Sequence, residues 1–161
     1  MMDHILQIHF QSFDQGKDLE SHQSKLLAQA LDVTNFAYAP YSKFKVGAAL
    51  LLENNITIVG CNQENASYPC GICAERNVLF SKGALHPNEK IKSIAIVVQN
   101  QSKDNNTPPT PCGLCRQVLS EFEFNNHQPI QIILGHPDRK TWVFNSCADL
   151  LPLAFTPSSL I

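Results

Sequence analysis

Two cysteine pairs carry the first chemical signal in this 161-residue chain, Cys70-Gly71-Ile72-Cys73 and Cys112-Gly113-Leu114-Cys115. Two such pairs can close a structural zinc knuckle with four thiolate ligands. Here 38 residues separate Cys73 from Cys112, more than the ~15–20 of the usual zinc ribbon. Both pairs fall where a helix is expected to begin, and the partial positive charge of a helix N-terminus favours thiolate over thiol. Cys73-Ala74-Glu75 then sets a carboxylate two residues from a candidate ligand, close to a metal but badly placed to chelate with Cys73. A closed structural site has no use for that carboxylate, whereas hydrolysis needs a general acid/base there. Three cysteines and an open position are a catalytic arrangement. A four-cysteine interaction module using Cys70, Cys73, Cys112 and Cys115 is the alternative at this level. A redox dithiol at Cys112 and Cys115 is another, and it leaves Glu75 and the first pair without a role.

The elements that must position these residues can be sketched from periodicity. Leu6, Ile8 and Phe10 alternate with polar residues and predict a short N-terminal strand. A helix is expected from Asp18 as N-cap, through Leu26, Leu27, Ala30 and Leu31, stopped by Pro40. The apolar runs at 46–53 and 56–59, joined by Asn54-Asn55, read as an antiparallel hairpin. A helix over 72–85 with Gly83 as a C-cap follows, then a buried strand over 91–98 and a polar loop over 99–109. Thr110 at N-cap and Pro111 at N1 predict the start of a helix carrying Leu114, Val118, Leu119 and Phe122. Strands over 129–134 and 141–144 and a short helix near 147–151 complete the chain. The pattern is α/β, with a mixed sheet covered by helices.

Composition bounds the partners. Charged residues make up 16% of the chain, with net charge −2 and pI near 6.3. There is no basic footprint for polymeric nucleic acid and no polybasic segment for a membrane surface. Six cysteines behind an N-terminus without a basic, then apolar leader point to a reducing compartment, the cytoplasm. The six histidines are scattered without ligand spacing and read as structural or exposed.

Taken together, five segments in order resemble the homotetrameric cytidine deaminases. They are 41–50 (YSKFKVGAAL), 60–68 (GCNQENASY), 71–76 (GICAER), 111–117 (PCGLCRQ) and 150–155 (LLPLAF). The likeness covers about residues 24–161 of what is expected to be a single domain. The first ~20 residues form an extension that could add an edge strand or alter packing between subunits. The resemblance implies a three-layer fold with a mixed sheet of about five strands, a zinc ion, and hydrolytic deamination of cytidine and 2′-deoxycytidine. It implies zinc on Cys73, Cys112 and Cys115, with Glu75 shuttling protons. Cys70 then falls where the family has no ligand and, like Cys61 and Cys147, reads as a small packing residue.

Other roles follow from the same likeness. Asn62 and Glu64 flank Gln63, so on an extended segment they share a face, and they would hold the sugar 3′-OH. Phe44 would stack on the pyrimidine and the Ala74 backbone would meet the base edge. Phe155 would reach a neighbouring subunit's pocket in a homotetramer. Three thiolates on divalent zinc leave a net −1 site, so charge must be withdrawn from sulfur. Arg76, with Gln117 and the helix dipoles assisting, is the candidate. Lys45 stands where the family often has Pro. A zinc deaminase for a modified nucleoside, a free base or an RNA base is the nearest alternative activity; Asn62 with Glu64 favours a sugar-bearing substrate.

Overall fold

A computed structural model describes residues 1–99 and 107–160. Six strands form one sheet in the order β1-β6-β5-β4-β2-β3, comprising β1 (Gln11–Phe13), β2 (Val46–Leu52), β3 (Thr57–Cys61), β4 (Ile91–Val98), β5 (Gln131–His136) and β6 (Arg139–Phe144). Among the strands of the described residues, only β4 and β5 run parallel, and the connection between them carries the helix α3 (Gly113–Asn126). Every other pairing is antiparallel, including the β2–β3 hairpin that turns at Asn55 with φ 66°.

Alternation along the central strands builds two cores. In β4, Ile94 and Ile96 face α2 (Ala74–Leu85) and α3, meeting Val78, Leu79 and Leu119. Ala95 and Val97 face the opposite way, onto Leu26, Leu27 and Ala30 of α1 (Ser21–Val33). The result is three layers, with α1 on one side of the sheet and α2 with α3 on the other. Gly47 lets α1 approach β2 backbone to backbone, since a Cβ there would lie 2.0 Å from the Ala30 carbonyl oxygen.

The sheet of six described strands agrees with the expected mixed sheet of about five. Several boundaries are corrected. The N-terminal strand is Gln11–Phe13, and residues 6–10 lie outside it. Leu6 and Ile8 are exposed, while Phe10 turns onto Trp142 and Phe144 at ring distances of 4.8 and 5.2 Å. Helix α1 begins after Glu20, because Glu20 and Gln23 form a reciprocal capping box; Asp18 belongs to a preceding 3-10 turn. Gly83 lies inside α2, which runs to a C-cap at His86. Helix α3 starts at Gly113 with Cys112 as N-cap, because Thr110 and Pro111 are engaged by Arg116 instead. Leu114 on that helix is exposed. The terminal helix is reduced to one 3-10 turn, Cys147–Asp149, with another at Pro157–Ser159. Most of the loop expected over 99–109 lies outside the described residues.

Candidate active site

Both cysteine-bearing helix starts arrive at one end of the sheet. Cys73 is the N-cap of α2 and Cys112 the N-cap of α3, each with extended backbone angles and no side-chain cap of its own. Cys115 sits at the third position of α3 and is fully buried. The sulfurs of Cys73, Cys112 and Cys115 lie within 4.8 Å of one another, and Cys112 and Cys115 are 3.5 Å apart. A tetrahedral zinc–thiolate site with bonds of about 2.3 Å has sulfurs about 3.8 Å apart, so the three side chains fit that ion. Cys70 stands outside this group, exposed, with its sulfur 3.5 Å from Ser67 Oγ. Its expected packing role is thereby corrected. Cys61 and Cys147 are buried, as expected of packing residues.

Electrostatics at the cluster follow from its geometry. A hydrogen bond from Cys115, then the guanidinium of Arg76, brings the Cys73 thiol down to about 5 against the cost of its burial. Donating that bond, and being buried beside Glu75, pushes the Cys115 thiol up. Metal binding must therefore displace the Cys115 proton. Glu75, at the second position of α2, is 5% exposed, and burial, with the Cys73 charge, raises its carboxyl above the ordinary range. A carboxyl raised in this way holds a proton more readily than an ordinary carboxylate, which suits a group that must both accept and return one.

Arg76 turns back over the first turn of its own helix. Its Nη2 lies 3.4 Å from the Gly71 carbonyl and 4.0 Å from Cys73 Sγ, and its Nε is buried without a partner. Burial works against its charge, and the three sulfurs outweigh that, holding the guanidinium protonated. The Gln117 amide donates to the Phe155 carbonyl at 2.8 Å. Sequence reasoning missed Arg116, whose guanidinium bonds the Pro111 carbonyl, the Leu150 carbonyl and Thr110 Oγ1 at 2.8, 2.9 and 2.8 Å. It pins the loop leading into Cys112 against the C-terminal segment. Only its place directly after a ligand cysteine could have flagged it.

Cys73 and Cys112 line a cavity of about 830 Å³, which Phe44, Asn62, Glu64, Ala74 and Glu75 also line, while Cys115 is buried behind them. Gln63 is laced between Tyr38 and Ile72 by isolated bridges, so its segment is extended. Asn62 and Glu64 accordingly face the same side. Both are engaged by the neighbouring loop: Asn62 accepts from Val46 N at 2.8 Å and donates to Phe44 O at 2.9 Å. Glu64 accepts from the Tyr41 and Ser42 backbone N–H groups. Phe44 is half-exposed at the rim, not a core aromatic. Phe155, 60% exposed, does not line the cavity of its own chain.

The family model for the cytidine and deoxycytidylate deaminase zinc-binding region matches residues 20–128. The chain belongs to that family. A cytidine deaminase of Sporosarcina psychrophila is 39% identical over 138 residues, 84% of this chain and 93% of that protein. A second, from Halalkalibacterium halodurans, is 36% identical over 143 residues, 84% of this chain and 95% of that protein. Among solved structures, the cytidine deaminase of Burkholderia pseudomallei matches with a TM-score of 0.69 at 38% identity, covering 85% of this chain and all (100%) of that one. The chain is thus an α/β protein of the deaminase family, with a three-cysteine cluster where the family's zinc-binding region lies.

Proposed function

We propose that this protein hydrolyses cytidine and 2′-deoxycytidine to uridine and 2′-deoxyuridine with release of ammonia, using zinc held by Cys73, Cys112 and Cys115. The observation that carries the reading is the buried Glu75 carboxyl beside a three-sulfur cluster at the floor of a nucleoside-sized cavity. When bound, zinc supplies a Lewis acid that brings the acidity of water into the physiological range. Glu75 takes a proton from the water that adds at C4 and delivers it to N3 of the ring. It then takes the proton of the C4 hydroxyl and passes it to the amine, so that the C4–N bond breaks, ammonia leaves and the C4 carbonyl forms. Arg76 withdraws charge from the Cys73 sulfur, so that three thiolates do not silence the metal.

Substrate contacts extend along the cavity. The Ala74 backbone meets the base edge, Phe44 stacks on the ring, and Asn62 with Glu64 receives the sugar 3′-OH. Phe155, exposed and not among the residues that line its own cavity, supports a homotetramer in which it reaches a neighbouring copy's site. Six free cysteines suit a reducing cytoplasm, where the reaction would serve pyrimidine salvage.

The test is an ultraviolet assay of cytidine turnover, with Glu75→Gln and Cys70→Ala alongside. Glu75→Gln is expected to lose about 10²- to 10⁴-fold in kcat while binding zinc stoichiometrically. Cys70→Ala is expected to keep both zinc and activity; loss of its zinc would favour the four-cysteine module. No turnover of any pyrimidine nucleoside by the wild type would sink the proposal.

A further inference from the structure

Ser42 sits where the sugar end and the base end of the cavity meet. Its hydroxyl donates to Glu64 Oε1 and accepts the Phe44 backbone N–H at 3.0 Å. The Tyr41 and Ser42 N–H groups take the other carboxylate oxygen, at 2.9 and 3.3 Å. Between Ser42 and Phe44, Lys43 is held at φ 59°, a left-handed conformation uncommon outside Gly, Asn and Asp. One hydroxyl thus joins the carboxylate that faces the sugar to the backbone of the ring that faces the base.

We propose that Ser42 is a positioning residue that sets Glu64 for the sugar hydroxyl and, through the same oxygen, sets the stacking height of Phe44. This rests on the deaminase reading and deepens it. The physical reasoning has two parts. A carboxylate on a rim is free to swing, and each swing spends orientation that substrate binding must recover. Three donors from the 41–42 backbone and the Ser42 hydroxyl fix both oxygens and hold the carboxyl below its ordinary range, chiefly through Ser42. An ionised Glu64 is acceptor-only, so it selects a sugar position that carries a free hydroxyl donor. A phosphate ester at that position offers no donor and meets like charge.

The experiment compares wild type, Ser42→Ala and Ser42→Thr on cytidine and on 3′-deoxycytidine, with zinc content measured in each. On cytidine, Ser42→Ala is expected to lose about ten- to thirty-fold in kcat/KM, carried by KM, the range of a hydrogen bond to a charged group. On the 3′-deoxy substrate the Glu64 share has no object, so the loss shrinks to the Phe44 share, about two- to three-fold. Ser42→Thr keeps the hydroxyl and is expected to restore most of the cytidine loss. Equal losses on the two substrates, or a loss carried by kcat with zinc depleted, would overturn the assignment. Should Ser42→Ala fail to fold, Ser42→Cys, a weaker donor of similar size, must show the same dependence on the 3′-hydroxyl or the proposal falls. Absence of turnover of both substrates by the wild type would instead overturn the deaminase reading on which this rests.

Discussion

The two ends of the cavity are built by different means. At the sulfur end, the three cysteines sit at the starts of α2 and α3, and helix packing against the sheet fixes their spacing. At the sugar end, Phe44 rides on a loop over 40–45 that is held by side chains, Asn62 and Glu64, reaching back to its backbone. The first is rigid because regular elements are rigid. The second is ordered only as far as a few hydrogen bonds order it. Changes at the sulfur end should therefore strike chemistry and metal content, and changes at the sugar end should strike binding.

Three substitutions would break or sharpen that division, and a fourth lies outside it. The largest effect is expected of Cys112→Ala, which removes the exposed ligand; zinc stoichiometry by elemental analysis and turnover should both fall to background. Arg76→Gln comes next, with an expected loss of about 10- to 100-fold in activity or zinc affinity, read by kinetics and chelator competition. Wild-type behaviour there would mean that the helix N-termini alone neutralise the sulfurs. Asn62→Ala at the other end should raise KM about ten-fold and lower stability by about 1–2 kcal/mol in urea unfolding, with zinc unchanged. A fall in zinc content would show that the two ends are not independent.

The smallest effect concerns His136, which belongs to neither end. Burial, with the Arg139 charge, lowers its imidazole below the usual value, and its Nδ1 accepts the Asp138 N–H at 3.2 Å. A base whose folded value is depressed is charged more readily in the unfolded chain. Its contribution is thus present above about pH 6.5 and is lost as pH falls through the folded value. The gap in urea midpoint between wild type and His136→Asn should change between pH 7.5 and 5.5. A constant gap would show that this imidazole does not report on folding.

The same contrast explains what was legible in the sequence. Strand β4 runs over the residues its apolar pattern indicates, and the cysteine and glutamate chemistry can be read from residue types at fixed offsets. Helix offsets are local, so the motif carries its own geometry. The sugar end is less legible, because the bonds from Asn62 to Phe44 and Val46 join residues 16 to 18 apart in sequence. Nothing in the local pattern marks Arg116 as the clamp on the Cys112 loop, since its partners lie up to 34 residues away. Boundaries failed where two cap signals competed. Asp18 lost to the Glu20–Gln23 box, and Thr110 lost its capping role to a bond with Arg116. The N-terminal alternation was read in the wrong place because Phe10 found aromatic partners on β6, whereas Leu6 and Ile8 remained exposed.

The short strand β1 has a practical consequence. The family match begins at residue 20, yet residues 11–13 cover the β6 edge from Thr141 to Val143, and Leu19 is part of the core. Trimming the chain to start at the matched boundary would uncover a row of unpaired backbone donors and acceptors beside the Trp142 and Phe144 rings that Phe10 now covers. Such an edge is a template for another chain. The trimmed protein would keep every residue assigned to the chemistry and still be prone to precipitate, so solubility here depends on a segment that the catalytic motifs do not include.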